Sequence, residues 1–181
     1  LITEKISVVV LTHLYGLVGD VVEIANVCKE FNVPLIEDCA QSFGAKIGDQ
    51  PAGTFGDIST FSFYPTKNLG AFGDAGAVTT NNEELANRIK RLRNYGSEVK
   101  YYNEEVGYNN RLDELQAAFL RVKLNYLQEW TNQRKEIASW YNEVLSDNES
   151  LILPKCNNLA DHVYHLYVVR TKERSKLQNK L

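Results

Sequence analysis

The chain has 181 residues, of which 44% are hydrophobic, and a formal net charge of −3. This composition is typical of a globular protein with one sizeable core and does not favour a nucleic-acid partner. No apolar run approaches the ~18 residues of a membrane span, and we see no signal-peptide pattern, so we expect no membrane partner and a cytoplasmic protein. The three cysteines, Cys28, Cys39 and Cys156, have no paired spacing, so we predict neither a disulfide framework nor a metal site.

The first half of the chain predicts a βαβ unit. An apolar run at 6–11 predicts a strand that ends near His13 and Tyr15. Asp20 is predicted to cap the next helix, with Glu23 at the capping-box position. The apolar stripe of this helix consists of Val21, Ile24, Ala25, Cys28 and Phe31. A second apolar run at 33–36 follows, so we expect a parallel sheet.

Charged side chains follow two of the predicted strands. The run at 33–36 leads into Glu37 and Asp38, and a strand at 57–63 leads into a loop that carries Lys67. Ligands bind at the carboxyl ends of parallel strands. A lysine that condenses with a carbonyl, with an acid for a protonated ring nitrogen, is the minimum requirement for pyridoxal phosphate chemistry. Glu37 and Asp38 should point to opposite faces, so only one can meet the ring.

The remaining segments predict a scaffold. Residues 44–56 predict a short hairpin, and 75–80 predict another strand. A basic helix should start at Asn81 or Asn82 and end at Gly96, with a solvated face or one that flanks a phosphorylated substrate. Two helices at 111–126 and 130–145 should bury apolar stripes, and 162–170 should form a strand. The two stripes are Leu112, Leu115, Phe119 and Val122, and Ile137, Trp140, Tyr141 and Val144.

Four motifs resemble the DegT/DnrJ/EryC1/StrS family of sugar aminotransferases. They are Glu-Asp-Cys-Ala-Gln at 37–41, Phe-Ser-Phe-Tyr-Pro-Thr-Lys-Asn-Leu-Gly at 61–70, Gly-Asp-Ala-Gly at 73–76 and Gly-Tyr-Asn-Asn-Arg-Leu-Asp-Glu-Leu-Gln-Ala-Ala at 107–118. Residues 95–102 look most like the members that act on dTDP-3-keto-6-deoxyhexoses. Members are about twice as long as this chain, which lacks methionine, so we interpret it as a fragment.

The resemblance implies an α/β fold of the fold-type-I pyridoxal phosphate enzymes, with a mostly parallel sheet. It divides the chain into a cofactor-binding large-domain portion at 1–110, bridging helices at 111–150 and the start of a small α+β domain at 151–181. A homodimer with a shared active site is also implied.

The resemblance assigns roles to individual residues. Lys67 would be the catalytic lysine that holds the cofactor as a Schiff base, and Asp38 would hold the ring nitrogen. The other implied cofactor contacts are Gln41 near the ring, Ser62 at the phosphate and Asn109 at the phosphate of the neighbouring subunit. Candidate substrate contacts are His13, Tyr15, His162 and His165. Each of the three histidines has an alternative interpretation as a hydrogen-bonded structural residue.

The implied reaction is a transamination. L-glutamate would give its amino group to the cofactor, and a nucleotide-linked keto sugar would take it, in the biosynthesis of amino sugars. Two alternatives stay open: a sugar dehydratase or regulatory relative of the same fold, and a catalytically silent fragment. Relatives that are dehydratases carry histidine in place of the lysine, so Lys67 favours the transaminase.

Overall fold

The computed structural model describes residues 5–156 and 160–181. Its strands are β1 (Val9–Thr12), β2 (Leu35–Asp38), β3 (Lys46–Ile47), β4 (Gln50–Pro51), β5 (Ile58–Ser62) and β6 (Gly76–Thr79). Four of them form one sheet in the order β1-β2-β5-β6, in which β1, β2 and β5 are parallel and β6 is antiparallel to β5. The predicted α/β fold with a mostly parallel sheet is confirmed. Strands β3 and β4 form the predicted hairpin.

Among the described residues, five helices accompany the strands. They are α1 (Val21–Glu30), α2 (Glu83–Leu92), α3 (Glu114–Leu124), α4 (Leu127–Leu145) and α5 (Arg174–Gln178), with a 3-10 turn at Leu14–Gly16. Within the described ranges, no helix combines the length and apolar character that crossing a bilayer requires.

Helix α1 buries most of its predicted stripe against the sheet. Val21 and Cys28 are fully buried, and Ile24 and Ala25 pack against the same cluster. Two details of the prediction are wrong. Phe31 lies just beyond the helix and is exposed, and Asp20 occupies the N-cap position but its side chain makes no capping hydrogen bond.

The apolar stripes predicted for α3 and α4 are mostly exposed, although Leu112, just before α3, packs against the core. Leu115 is 64% exposed on α3, and Val144 is 80% exposed on α4. Helix α3 instead buries Leu120, and two polar residues on its inner side bind backbone groups of the sheet loops. Lys123 Nζ donates to the Gly70 carbonyl at 2.6 Å, and Gln116 Oε1 accepts the Phe72 N–H at 2.8 Å. These hydrogen bonds orient the helix, which hydrophobic periodicity alone could not predict.

Ion pairs hold the loop after α2 against the basic face of that helix. Asn82 caps the helix by accepting the Leu85 N–H at 3.1 Å, as expected. Arg91 then contacts Glu98, Glu104 and Glu105 at 3.4–3.8 Å. The basic face therefore has acidic partners within the chain.

The segment at 162–170 does not form the predicted strand. Its first residue, His162, pairs with Leu17, and its last, Arg170, pairs with Ile152, as isolated bridges. Between them Tyr164 has a φ of +44°, which interrupts an extended backbone. The segment therefore crosses the loop after β1 instead of extending as one strand.

Candidate functional site

The ends of β1 and β2 lie level at one edge of the sheet, and β5 continues two residues beyond them. Thr12 at the end of β1 pairs with Asp38 at the end of β2, and Asp38 pairs with Thr60 in β5. Lys67 follows seven residues after Thr60, in the loop that leaves β5. The parallel order of these strands therefore brings the ends that carry Asp38 and Lys67 to the same edge.

Asp38 is half-buried at this edge. Its Oδ1 accepts the Ala40 N–H at 3.0 Å, and its Oδ2 lies 3.5 Å from the Thr12 hydroxyl. The backbone around it is paired on both sides, because the Asp38 carbonyl accepts the His13 N–H and the Cys39 N–H donates to the Thr60 carbonyl. Oδ2 keeps capacity for a further donor, since a carboxylate oxygen has two lone pairs.

A tight loop presents Lys67. The Lys67 N–H donates to the Tyr64 carbonyl at 2.8 Å, and Ser62 Oγ accepts the Tyr64 N–H at 3.3 Å. Gly70 allows the chain to fold back, because a side chain there would collide with the Pro65 backbone. In the described part of the chain, the half-buried Lys67 ammonium has no hydrogen-bond or ion-pair partner, so it is available to a ligand.

A later segment, residues 162–166, lies against this loop, and we call this segment the strap. Asn68, next to the lysine, is buried and donates from Nδ2 to the Val163 carbonyl at 2.9 Å. The Val163 N–H donates to Gly16 at 2.8 Å, and the Leu166 N–H donates to Tyr15 at 3.2 Å. The strap therefore joins the lysine loop to the turn after β1.

His165 lies in the strap beside Lys67. Burial lowers the pKa of His165, and the positive charges of Lys67 and Arg134 lower it further. Arg134 also fixes the strap by donating to the Tyr164 carbonyl at 3.1 Å. Among the described residues the buried Nδ1 of His165 has no hydrogen-bond partner, and neither has Oδ1 of Asn68. Two unsatisfied polar atoms therefore lie in the residues around the lysine.

The two remaining histidines are engaged within the fold. His13 is fully buried, with Nδ1 accepting the Gly19 N–H at 3.1 Å and Nε2 bonded to Glu37 at 2.9 Å. His162 is buried, accepts the Tyr164 N–H and stacks on the Tyr164 ring at 4.0 Å, and burial lowers its pKa. These contacts favour the alternative interpretation of both as structural histidines.

Gln41 and Tyr15 lie together, whereas Asn109 lies elsewhere. Gln41 Oε1 accepts the Tyr15 N–H at 2.7 Å, so the amide is oriented at the same edge as Asp38. Asn109 pairs with Asn94 after α2, and its exposed side chain accepts a bond from Arg111 at 3.2 Å. Its contact with a neighbouring subunit stays a prediction.

The residues at the sheet edge fit pyridoxal phosphate. The cofactor needs an amine for its aldehyde, a carboxylate for its ring nitrogen and donors for its phosphate. Lys67 supplies an amine that has no partner among the described residues, Asp38 supplies a carboxylate with a free lone pair, and Ser62 supplies a hydroxyl. The unsatisfied atoms of Asn68 and His165 are further polar groups that a ligand could engage.

Sequence reasoning missed two residues that organise this site. Glu37 was expected only to point away from Asp38, but it is the most heavily hydrogen-bonded side chain at the sheet edge. A charged residue inside an otherwise apolar strand was the available signal. Asn68 carried no signal, because its partner Val163 lies 95 residues away.

Comparison with known proteins extends this picture. The profile of the "DegT/DnrJ/EryC1/StrS aminotransferase family" matches residues 1–181. The chain is 49% identical over 177 residues to a dTDP-3-amino-3,6-dideoxy-alpha-D-galactopyranose transaminase of Aneurinibacillus thermoaerophilus, covering 98% of this chain and 48% of that protein. It is 42% identical over 179 residues to a pleiotropic regulatory protein of Geobacillus stearothermophilus, covering 98% and 48%. The chain therefore spans about half the length of these relatives.

Solved structures show the same similarity. The structure of DesV of S. venezuelae in complex with a ketimine intermediate matches with a TM-score of 0.94 and 41% identity, over 98% of this chain and 48% of that one. The structure of NtdA of Bacillus subtilis with bound cofactor PMP matches with a TM-score of 0.87 and 31% identity, over 98% and 41%. The chain belongs to the DegT/DnrJ/EryC1/StrS aminotransferase family.

Proposed function

We propose that this chain carries the catalytic lysine of a pyridoxal phosphate-dependent aminotransferase. Its substrates would be L-glutamate as amino donor and a nucleotide-linked keto sugar of the dTDP-3-keto-6-deoxyhexose class as acceptor. The observation that carries the proposal is the parallel pairing of β1, β2 and β5, which brings Asp38 to the sheet edge at which the loop of Lys67 begins. The similarity to a dTDP-sugar transaminase supports the substrate class.

Each residue would have a distinct task. When bound, pyridoxal phosphate supplies a carbonyl carbon for the lysine and a ring that withdraws electrons. Asp38 would keep a proton on the ring nitrogen, because an ionised carboxylate nearby favours the protonated form. Lys67 would move a proton at the amine carbon of the substrate through Nζ. Ser62 would donate to the phosphate, and Gln41 would lie beside the ring.

His165 is the residue of the strap that we assign to the substrate side. Its lowered pKa keeps the ring neutral at physiological pH, so it can accept a hydrogen bond from a sugar hydroxyl without repelling the lysine. Tyr15 is 40% exposed on the adjoining turn and would contribute a second polar group to the same side. We do not assign substrate contacts to His13 or His162, because their nitrogens are used within the fold.

A half-reaction assay tests this proposal. The full-length protein is loaded with pyridoxal phosphate, incubated with single amino acids and then mixed with keto-sugar nucleotides. We expect 2-oxoglutarate to be released from glutamate and an amino sugar nucleotide to form, with neither product from Lys67→Arg. Product from another amino donor only would overturn the choice of glutamate, and a lack of any amino transfer would overturn the function.

A second candidate is a relative that keeps the fold and regulates another process. The observation that favours it is the 42% identity to the Geobacillus protein, which is a pleiotropic regulatory protein by name. The same assay distinguishes the candidates, because such a regulator would bind the cofactor without turning over a keto-sugar nucleotide.

A further inference from the structure

We propose that Glu37 is a positioning residue, which holds Asp38 in place by fixing the end of β2 to two neighbouring segments. This inference rests on the proposed function, because Asp38 is the group that would meet the cofactor ring. It concerns a side chain that points away from the ligand side and contacts neither cofactor nor substrate.

Four N–H donors surround the Glu37 carboxylate, which is fully buried. Oε1 accepts the N–H groups of Phe55 and Gly56, both at 2.7 Å. Oε2 accepts the Gly53 N–H at 2.8 Å and is bonded to His13 Nε2 at 2.9 Å. Each oxygen therefore has two N–H donors, and the Ser59 hydroxyl lies 3.5 Å from Oε1, so the side chain cannot rotate without losing several bonds.

The environment of Glu37 selects the charged carboxylate. Burial alone would raise the pKa of Glu37. The hydrogen bonds from His13 and from the backbone of the 53–56 turn outweigh this effect, so the pKa lies below its usual value. Protonation would add an O–H where N–H groups already point at both oxygens. A neutral glutamine would likewise place an NH₂ group against N–H donors.

His13 transmits this constraint to the turn after β1. The Gly19 N–H donates to Nδ1, so the proton of the neutral ring lies on Nε2 and is donated to Glu37. A doubly protonated ring would turn Nδ1 into a donor facing the Gly19 N–H. The contacts thus fix one tautomer, and with it the distance between β2 and the His13 segment.

The 53–56 turn supplies the second anchor. Gly53 has a φ of +89°, which favours glycine, and a Cβ on Gly56 would lie 2.7 Å from the Leu35 carbonyl and 3.3 Å from Glu37 Cγ. The turn can therefore close over the carboxylate only with glycine at these positions. Glu37 is held from both sides of the strand that carries Asp38.

Asp38 follows directly, so its backbone cannot move independently of this anchor. Its carbonyl accepts the N–H of His13, the residue whose ring Glu37 binds. Its Oδ1 accepts the Ala40 N–H at 3.0 Å, which makes the Ala40 amide a reporter of the placement of the Asp38 carboxylate. Small displacements at such a site carry large catalytic effects.

A metal site is the competing interpretation of the same cluster. Ligand atoms of His13, Glu37 and Cys39 lie within 4.8 Å of one another. Burial and the charge of Glu37 raise the pKa of Cys39 to about 12, so the thiol stays protonated. Both Glu37 oxygens are already occupied by N–H donors. We therefore assign the cluster to positioning.

The test compares Glu37→Gln with Val21→Ala in the full-length protein. Val21 is fully buried in α1 and its apolar side chain takes no part in the hydrogen bonds of Glu37, so its variant controls for a general loss of stability. Amide hydrogen exchange at Ala40 is measured without cofactor. We expect protection of Ala40 to fall about tenfold more in Glu37→Gln than in the control, which corresponds to the loss of about one hydrogen bond to a charged group. Equal losses in both variants would overturn the inference.

Two further measurements keep the test decisive. If Glu37→Gln does not fold, Glu37→Asp retains the charge on a shorter side chain, and we expect an intermediate loss of amide protection at Ala40.

In the loaded protein, the ¹⁵N shift of labelled pyridoxal phosphate reports protonation of the ring nitrogen. The pKa of this nitrogen should fall in Glu37→Gln and stay unchanged in Val21→Ala. An unchanged shift in Glu37→Gln would contradict the positioning role. A wild-type protein without a lysine-bound cofactor would instead overturn the proposed function, while the Ala40 result would still decide the role of Glu37.

Discussion

The carboxyl edge of the sheet and the α3–α4 helices use their side chains in opposite ways. At the sheet edge, polar side chains are buried and bonded to backbone groups, as Glu37 and Asn68 show. On α4, Trp140 and Val144 are exposed, although both belong to the apolar stripe that periodicity assigns to the core. The two regions therefore depend on different forces.

This difference shows that burying a side chain and fixing its position precisely are separate properties. A buried hydrogen-bond network defines positions closely, because each donor and acceptor must meet its partner. Apolar contacts are not directional and tolerate small shifts. The candidate site therefore lies where several hydrogen bonds fix the position of the backbone. Substitutions should affect the stability of the two regions very differently.

The largest effect on stability should come from removing the charge at the sheet edge. Glu37→Gln leaves buried N–H groups facing an amide, and breaking a buried charged pair of this kind costs about 3 kcal/mol. Urea unfolding of the purified protein measures the loss. A cost below that of an ordinary surface substitution would show that the network does not stabilise the fold.

A matched pair of valines compares the regions directly. Val21→Ala removes buried methyl groups and should cost about 2 kcal/mol, whereas Val144→Ala on the exposed face should stay within about 0.5 kcal/mol. The same unfolding measurement applies to both. An equally large cost at Val144 would mean that this face of α4 is covered in the protein in solution, and the contrast between the regions would be lost.

Asn68→Ala tests the link between the lysine loop and the strap. It leaves the buried Val163 carbonyl without its donor, which should cost about 1–2 kcal/mol. In addition, the pKa of His165 should shift, because the strap would no longer be held beside Lys67. NMR of the three histidines follows this shift, with His13 as internal control. A stability loss with no change at His165 would argue against the link.

Acid should weaken the sheet edge before it weakens the helices. The folded pKa of Glu37 is lowered, so its contribution is present above the unfolded pKa and is lost as the pH falls through the folded value, below about pH 4.5. Amide exchange between pH 6 and pH 3 should therefore increase first at Gly53, Phe55 and Gly56 among the buried amides. In Glu37→Gln this pH dependence should disappear, whereas its persistence there would assign it to another group.

The sequence predicted the part of the fold that depends on periodicity and strand order. The parallel sheet, the hairpin and the strand-end location of Asp38 and Lys67 follow from apolar runs that end in polar residues. The failures occurred where long-range polar contacts decide the outcome. Gln116 and Lys123 turn α3 by binding the loop at 70–72, and Asn68 holds a segment 95 residues away. Such contacts leave no periodic signal.

Visible absorbance spectroscopy of the full-length protein with pyridoxal phosphate tests the central claim most directly. Spectra are recorded for the wild type, for Lys67→Ala and for Lys123→Ala, a control that removes a lysine bound to the Gly70 carbonyl. We predict an absorption band at a longer wavelength than that of the free cofactor in the wild type and in the control, but not in Lys67→Ala. We also predict that adding glutamate removes this band. A band that persists in Lys67→Ala would contradict the account, because another residue would then hold the cofactor.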